Sequence, residues 1–184
     1  MQSLLRLLPL PLCIFVGSAA AEPPAPRAVL GATTPVFALP ALNEEAALEA
    51  GGRTQLGVND FCGVRAAKPK SAIVLYFFDR SRGGDQLGTL ARLQRRSGGK
   101  GLQVLAISTD TGDLGGLSTW VEGQRLNYPV LRDNHGVVSR RYGLSQLPLT
   151  VVVDGDCGVF ALGLPMGADL EPALDAELAA LLVR

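Results

Sequence analysis

Apolar residues run along this chain in two alternating rhythms. Ile73 to Phe78 is six consecutive apolar or aromatic positions rich in strand formers, the pattern of a strand buried on both faces. Leu102 to Ser108 (L-Q-V-L-A-I-S) and the β-branched run Thr150 to Val153 behind Pro148 read as two more strands. Between the first two, Leu87, Leu90, Ala91 and Leu93 recur at helical spacing with Arg92, Gln94, Arg95 and Arg96 among them, which predicts an amphipathic helix. Ser97-Gly98-Gly99 ends it. Strand, helix, strand in that order implies a right-handed crossover and a parallel pair.

Further helices are predicted over Leu117 to Arg125, with Trp120 and Val121 facing the core, over Val137 to Tyr142, and over Leu170 to Val183. Tyr128 to Leu131 is a short extended piece. Gly155-Asp156-Cys157-Gly158 has hairpin-turn chemistry, so Val159 to Leu162 returns antiparallel to the strand before it. The N-terminal pattern is weaker: a strand over Val36 to Leu39 closed by Pro40, helical turns over Glu44 to Ala50 stopped by Gly51-Gly52, a strand over Thr54 to Val58, and a polar approach, Ala66 to Lys70. The whole predicts an α/β domain with a central mixed sheet flanked by helices.

Composition changes the picture mainly at the N-terminus. Arg6, the apolar run Leu7 to Val16 and the small residues Gly17 to Ala21 have the grammar of a cleavable signal peptide over residues 1–21, cut after Ala21. The run holds Pro9 and Pro11 and is shorter than the roughly 20 residues of a bilayer span, so no stable membrane span is expected after cleavage. Proline-rich residues 22–33 read as a flexible tether, and residues 34–184 as one domain. Export predicts a periplasmic or secreted protein. The 17 basic residues balance the 17 acidic ones, and no basic stripe is interleaved with aromatics, which argues against a nucleic-acid surface. Cys13 lies in the leader, so two cysteines, Cys62 and Cys157, remain for a disulfide-permissive compartment.

From about Thr34 onward the chain resembles the redoxin branch of the thioredoxin-like superfamily, the TlpA-like and AhpC/TSA-type proteins. F-A-L-P-A-L-N with G-G-R-T-Q-L is similar to that family's opening β-hairpin, I-V-L-Y-F-F to its central strand, and L-Q-V-L-A-I-S-T-D to the strand of its second crossover. Y-P-V-L-R-D-N-H-G through L-P-L-T-V-V-V-D-G-D-C-G-V is similar to its C-terminal half. The resemblance implies a thioredoxin-like fold with an N-terminal hairpin and puts Pro148 in the place of the family's cis-proline. It also puts Arg82, Gly83, Gly84 and Asp85 where the family carries C-x-x-C. Neither that motif nor a threonine followed three residues on by cysteine is present. Arginine cannot attack a disulfide or peroxide, and aspartate cannot resolve a mixed disulfide.

In the implied fold, Cys62 and Cys157 fall at the sheet end remote from that turn, where a structural disulfide, a relocated redox pair and two free thiols are all open readings. Arg80, Arg82, Leu147 and Pro148 would line the old substrate-facing groove. Arg80, Arg82, Gly83 and Gly84 also suggest an anion site at a helix N-terminus, though an ordinary solvated turn explains them and Asp79 and Asp85 oppose an anion. His135 in D-N-H-G reads as a surface turn residue, Asp110, Asp113 and Asp133 lack cation-loop density, Ser81 resembles the serine of the serine-type glutathione transferases but without their helical domain, and the single histidine supports no Ser-His-Asp arrangement. No metal or other cofactor is implied. The reading is a non-catalytic binding or accessory module for a protein or peptide of the cell envelope; the alternatives are a thiol-disulfide oxidoreductase or antioxidant-type protein using Cys62 and Cys157, and a structural scaffold.

Overall fold

A computed structural model describes residues 28–182, so the leader over 1–21 and tether residues 22–27 lie outside the described residues. Elements follow in the order β1 (Leu39–Pro40), α1 (Glu44–Gly51), β2 (Gln55–Leu56), β3 (Ala72–Phe78), α2 (Leu87–Ser97), β4 (Leu102–Ser108), α3 (Leu114–Gly123), β5 (Val130–Arg132), α4 (Val137–Arg141), β6 (Leu149–Asp154), β7 (Val159–Leu162) and α5 (Leu170–Leu182). The main sheet has the order β5-β4-β3-β6-β7. β3 runs parallel to β4, with Val74 opposite Val104, and antiparallel to β6, with Tyr76 opposite Thr150. This is the thioredoxin-like arrangement, with β3 at its centre.

Every residue of β3 and β4 is buried, as continuous apolar runs require when both faces are covered. The alternating side chains serve two cores. Val74, Tyr76 and Phe78 pack with Leu87, Leu90 and Leu93 of α2, Leu117 and Val121 of α3, and Leu174 and Leu178 of α5. Ile73, Leu75 and Phe77 face the other way, toward Phe37, Leu56, Phe61, Val138 and Tyr142. Across the first face, Arg92 and Arg96 on α2 pair with Glu171 and Asp175 on α5.

Four expectations change. The first strand is Leu39–Pro40, and Val36 is exposed; Pro40 is tolerated because the strand is short and peripheral. β1 and β2 do pair antiparallel, Leu39 opposite Leu56, but α1 lies between them, so the opening unit is not a tight hairpin. The third change is at residues 28–33, the last part of the expected tether. Ala28 is buried, the Gly31 amide donates to Val159 O at 2.8 Å, and Thr33 bridges Gly158, so these residues are part of the domain. Helix α3 also starts earlier than the pattern suggests. The Asp113 carboxylate accepts from the Gly115 and Gly116 amides at 3.1 and 2.7 Å, and this cap draws two glycines into the first turn.

Candidate functional site

Helix α2 is entered from the end of β3 through the turn Asp79–Asp85 and a 3-10 turn, Gly84–Gln86. Asp79 organises it. One carboxylate oxygen accepts from the Ser81 amide (3.0 Å), the Ser81 hydroxyl (2.7 Å) and the Arg82 amide (2.7 Å); the other accepts from Arg82 Nε at 2.8 Å. Burial works against ionisation of Asp79, but the hydrogen bonds from Arg82 and Ser81 outweigh it and hold the carboxyl below its usual range. Arg80 turns to Asp110, 3.5 Å away. Both arginines of the suggested anion site therefore have carboxylate partners, and Asp79 takes the turn amides that an outside anion would need.

The middle of the turn is filled from three sides. Gly83 has φ +92, and a Cβ there would fall 2.5 Å from Tyr76 Oη and 2.8 Å from Pro148 Cβ and Cγ. Only glycine suits both the conformation and the space. Tyr76 donates to Gly83 O at 3.1 Å; burial, reinforced by the charge of Asp85, pushes its phenol well above its usual value and keeps it a neutral donor. Trp120 closes over Gly84, where a Cβ would stand 3.3 Å from its ring. The Leu147–Pro148 peptide bond is cis, and both residues are half-buried. Among the groove residues, the turn meets Pro148 through Gly83, whereas Leu147 packs toward the opposite core and Arg80 and Arg82 point to their carboxylates. The turn holds one hydroxyl, Ser81, already committed to Asp79, and no thiol.

At the other end of the sheet Cys62 and Cys157 are bridged, with Cα atoms 5.2 Å apart. The bridge ties the segment before β3 to the turn between β6 and β7. Hydrogen bonds from Gly63 N to Gly155 O (2.7 Å) and Thr34 N to Cys157 O (2.8 Å) hold the same junction.

The remaining candidates have structural roles. His135 is exposed in its turn, 3.4 Å from Asn134 Nδ2. Asp133 is buried and caps α4 through the Val138 and Ser139 amides, Asp113 caps α3, and Asp110 holds Arg80 and the Ser108 hydroxyl. No group of three metal-ligating side chains occurs among the described residues. A cleft of about 880 Å³ opens between α1 and α3, away from the turn, bordered by Glu45, Glu49, Glu122, Arg125 and Arg132. Sequence reading missed the Asp79 knot, although an aspartate two residues before a serine is the pattern of an Asx turn. It also missed Tyr76 as the donor behind Gly83, because an aromatic in a β3-like run reads as core.

A family model described as the AhpC/TSA family matches residues 32–161. No curated protein matches the chain. Solved structures do. A protein from Chlorobium tepidum described as a candidate thiol:disulfide interchange protein DsbE is 21% identical, with a TM-score of 0.69 over 84% of this chain and 98% of that one. A thiol-disulfide oxidoreductase from Bacteroides fragilis is 18% identical, with a TM-score of 0.61 over 82% and 100%. A secreted disulfide oxidoreductase of Mycobacterium tuberculosis, homologous to E. coli DsbE, is 20% identical, with a TM-score of 0.59 over 79% and 96%. These likenesses establish the fold.

Proposed function

Since the chain belongs to the AhpC/TSA family, we propose that it is an exported redoxin-type protein that has lost the C-x-x-C site and serves as a non-catalytic binding or accessory module. The observation that carries this is the Asp79–Asp85 turn: where the resemblance implies two thiols it has Arg82 and Asp85, with Arg82 tied to Asp79. A redox turn needs a thiolate that attacks and a second thiol that resolves, and neither is supplied. What the turn offers instead is a fixed surface around half-buried Pro148 and Leu147, suited to a protein or peptide partner of the cell envelope. The leader supports export to the periplasm or beyond. No helix among the described residues is long and apolar enough to cross a membrane.

Insulin reduction with dithiothreitol tests this reading. The protein is expected to leave the rate at the thiol background, and Cys62→Ser to change nothing; turnover abolished by Cys62→Ser would instead make Cys62 and Cys157 a working redox pair. Capture of a specific envelope partner, weakened by Pro148→Ala, separates a binding module from a structural scaffold.

A further inference from the structure

The two sulfurs of the Cys62–Cys157 bridge sit in unlike surroundings. Cys62 is 3% exposed and belongs to the core cluster of Val58, Phe61 and Val153. Cys157 lies in the β6–β7 turn, only partly buried, with its backbone in the left-handed region at φ 68. Gly63 lies beside it: a Cβ at that position would stand 3.4 Å from Cys157 Sγ and, its two chain neighbours apart, meet nothing else within 4 Å. The glycine therefore puts no side chain over that sulfur, and the residues that follow, Val64 and Arg65, are exposed.

We infer that Cys157 is the sulfur at which this bridge exchanges with an outside thiolate, and Cys62 the one that leaves and returns. The thiolate attacks Cys157 Sγ; a new S–S bond forms there, the Cys62–Cys157 bond breaks, and its electron pair stays on Cys62 Sγ, which takes a proton from solvent. Bridge formation runs the same path backward: a disulfide-bearing oxidant first joins Cys157, and the Cys62 thiolate then displaces the carrier as a thiolate. Burial of Cys62 denies it the first contact and places it beside the mixed disulfide it must resolve. The chain is the client of this exchange, at the pole opposite the Asp79–Asp85 turn, so the inference holds whether or not that turn binds a partner.

Cys62→Ser and Cys157→Ser proteins, each treated with oxidised glutathione, provide the test. Cys157 in the first is expected to take the adduct about tenfold or more faster than Cys62 in the second, since a buried thiol reacts only through local opening. Equal rates, or faster reaction at Cys62, overturn the inference. Because either variant can lose its fold, the wild-type protein is also reduced, freed of reductant, re-oxidised with excess oxidised glutathione, quenched in acid at early times and mapped by peptide mass, which keeps Cys13 apart. Adducts on Cys157 in excess over Cys62 support the inference; adducts on Cys62, or none, overturn it. A parallel arm uses a thioredoxin whose resolving cysteine is serine. Trapping at Cys157 by that protein supports a protein thiol as the exchanging partner, and an adduct with glutathione alone supports a small one.

Discussion

Replacing Gly83 by alanine is a direct challenge to the packing of the turn against Pro148. The residue has φ +92, and the added Cβ would lie 2.5 Å from Tyr76 Oη and 2.8 Å from two carbons of Pro148. Holding a residue with a Cβ in the left-handed region costs about 1 to 2 kcal/mol. Forcing a methyl into filled space adds about 1 to 3 kcal/mol. Displacing Tyr76 from Gly83 O loses about 1 kcal/mol more. Together these give about 3 to 6 kcal/mol, a large share of the roughly 5 to 15 kcal/mol that stabilises a domain. Urea unfolding followed by circular dichroism reads this as a lower midpoint. Gly88→Ala is the control: it lies on the exposed side of α2 with nothing within 4 Å of a built Cβ, so it should be neutral or stabilising by up to about 1 kcal/mol. Loss of less than about 1 kcal/mol in Gly83→Ala would mean that the turn has room to move and that the space beside Pro148 is not closed.

Three other outcomes follow from the same geometry. Removing the bridge by a Cys62→Ala, Cys157→Ala double substitution should lower stability by up to about 4 to 5 kcal/mol in the chain-entropy model, given the 95-residue separation, as read by urea unfolding under oxidising conditions. Asp79 has a folded-state value below its unfolded one, so its contribution is present above the ordinary carboxylate value and lost as pH falls through the depressed one. Asp79→Asn should therefore flatten the acid limb of a stability-against-pH profile, an effect weakened by salt because its partner Arg82 is exposed and the pair lies at the surface. Tyr142→Phe removes the hydroxyl that donates to Pro35 O at 2.8 Å and meets Thr34 Oγ1 at 2.8 Å in a buried setting, and should cost about 1 to 3 kcal/mol in thermal or urea unfolding.

The sheet was legible because β3 and β6 carry continuous apolar or β-branched runs and β4 one broken only by Gln103, and such runs specify burial on both faces whatever their neighbours do. Helix α2 was legible for a related reason, its arginines alternating with core leucines at helical spacing. The N-terminal region was not, because its two-residue strands are set by what they dock on: the Leu42 amide finds Val130 O at 2.7 Å, and Gly31 and Thr34 bond to the β7 start and the Cys157 carbonyl. Backbone hydrogen bonds of that kind leave no pattern in side chains. At the site, the absence of thiols was written in the sequence. The closure of the turn was not, because it depends on where Tyr76, Trp120 and Pro148, drawn from three separate segments, meet the adjacent Gly83 and Gly84.

The reduction potential of the Cys62–Cys157 pair tests the central claim most directly: that the bridge is a staple and the chain carries no working redox site. Protein equilibrated against thiol buffers of known potential, alkylated and counted by intact mass gives the value. A potential more negative than about −300 mV is predicted, the range of structural disulfides. A value between roughly −120 and −270 mV, where working oxidoreductases lie, would contradict the account and move the chemistry to the end of the sheet opposite the Asp79–Asp85 turn.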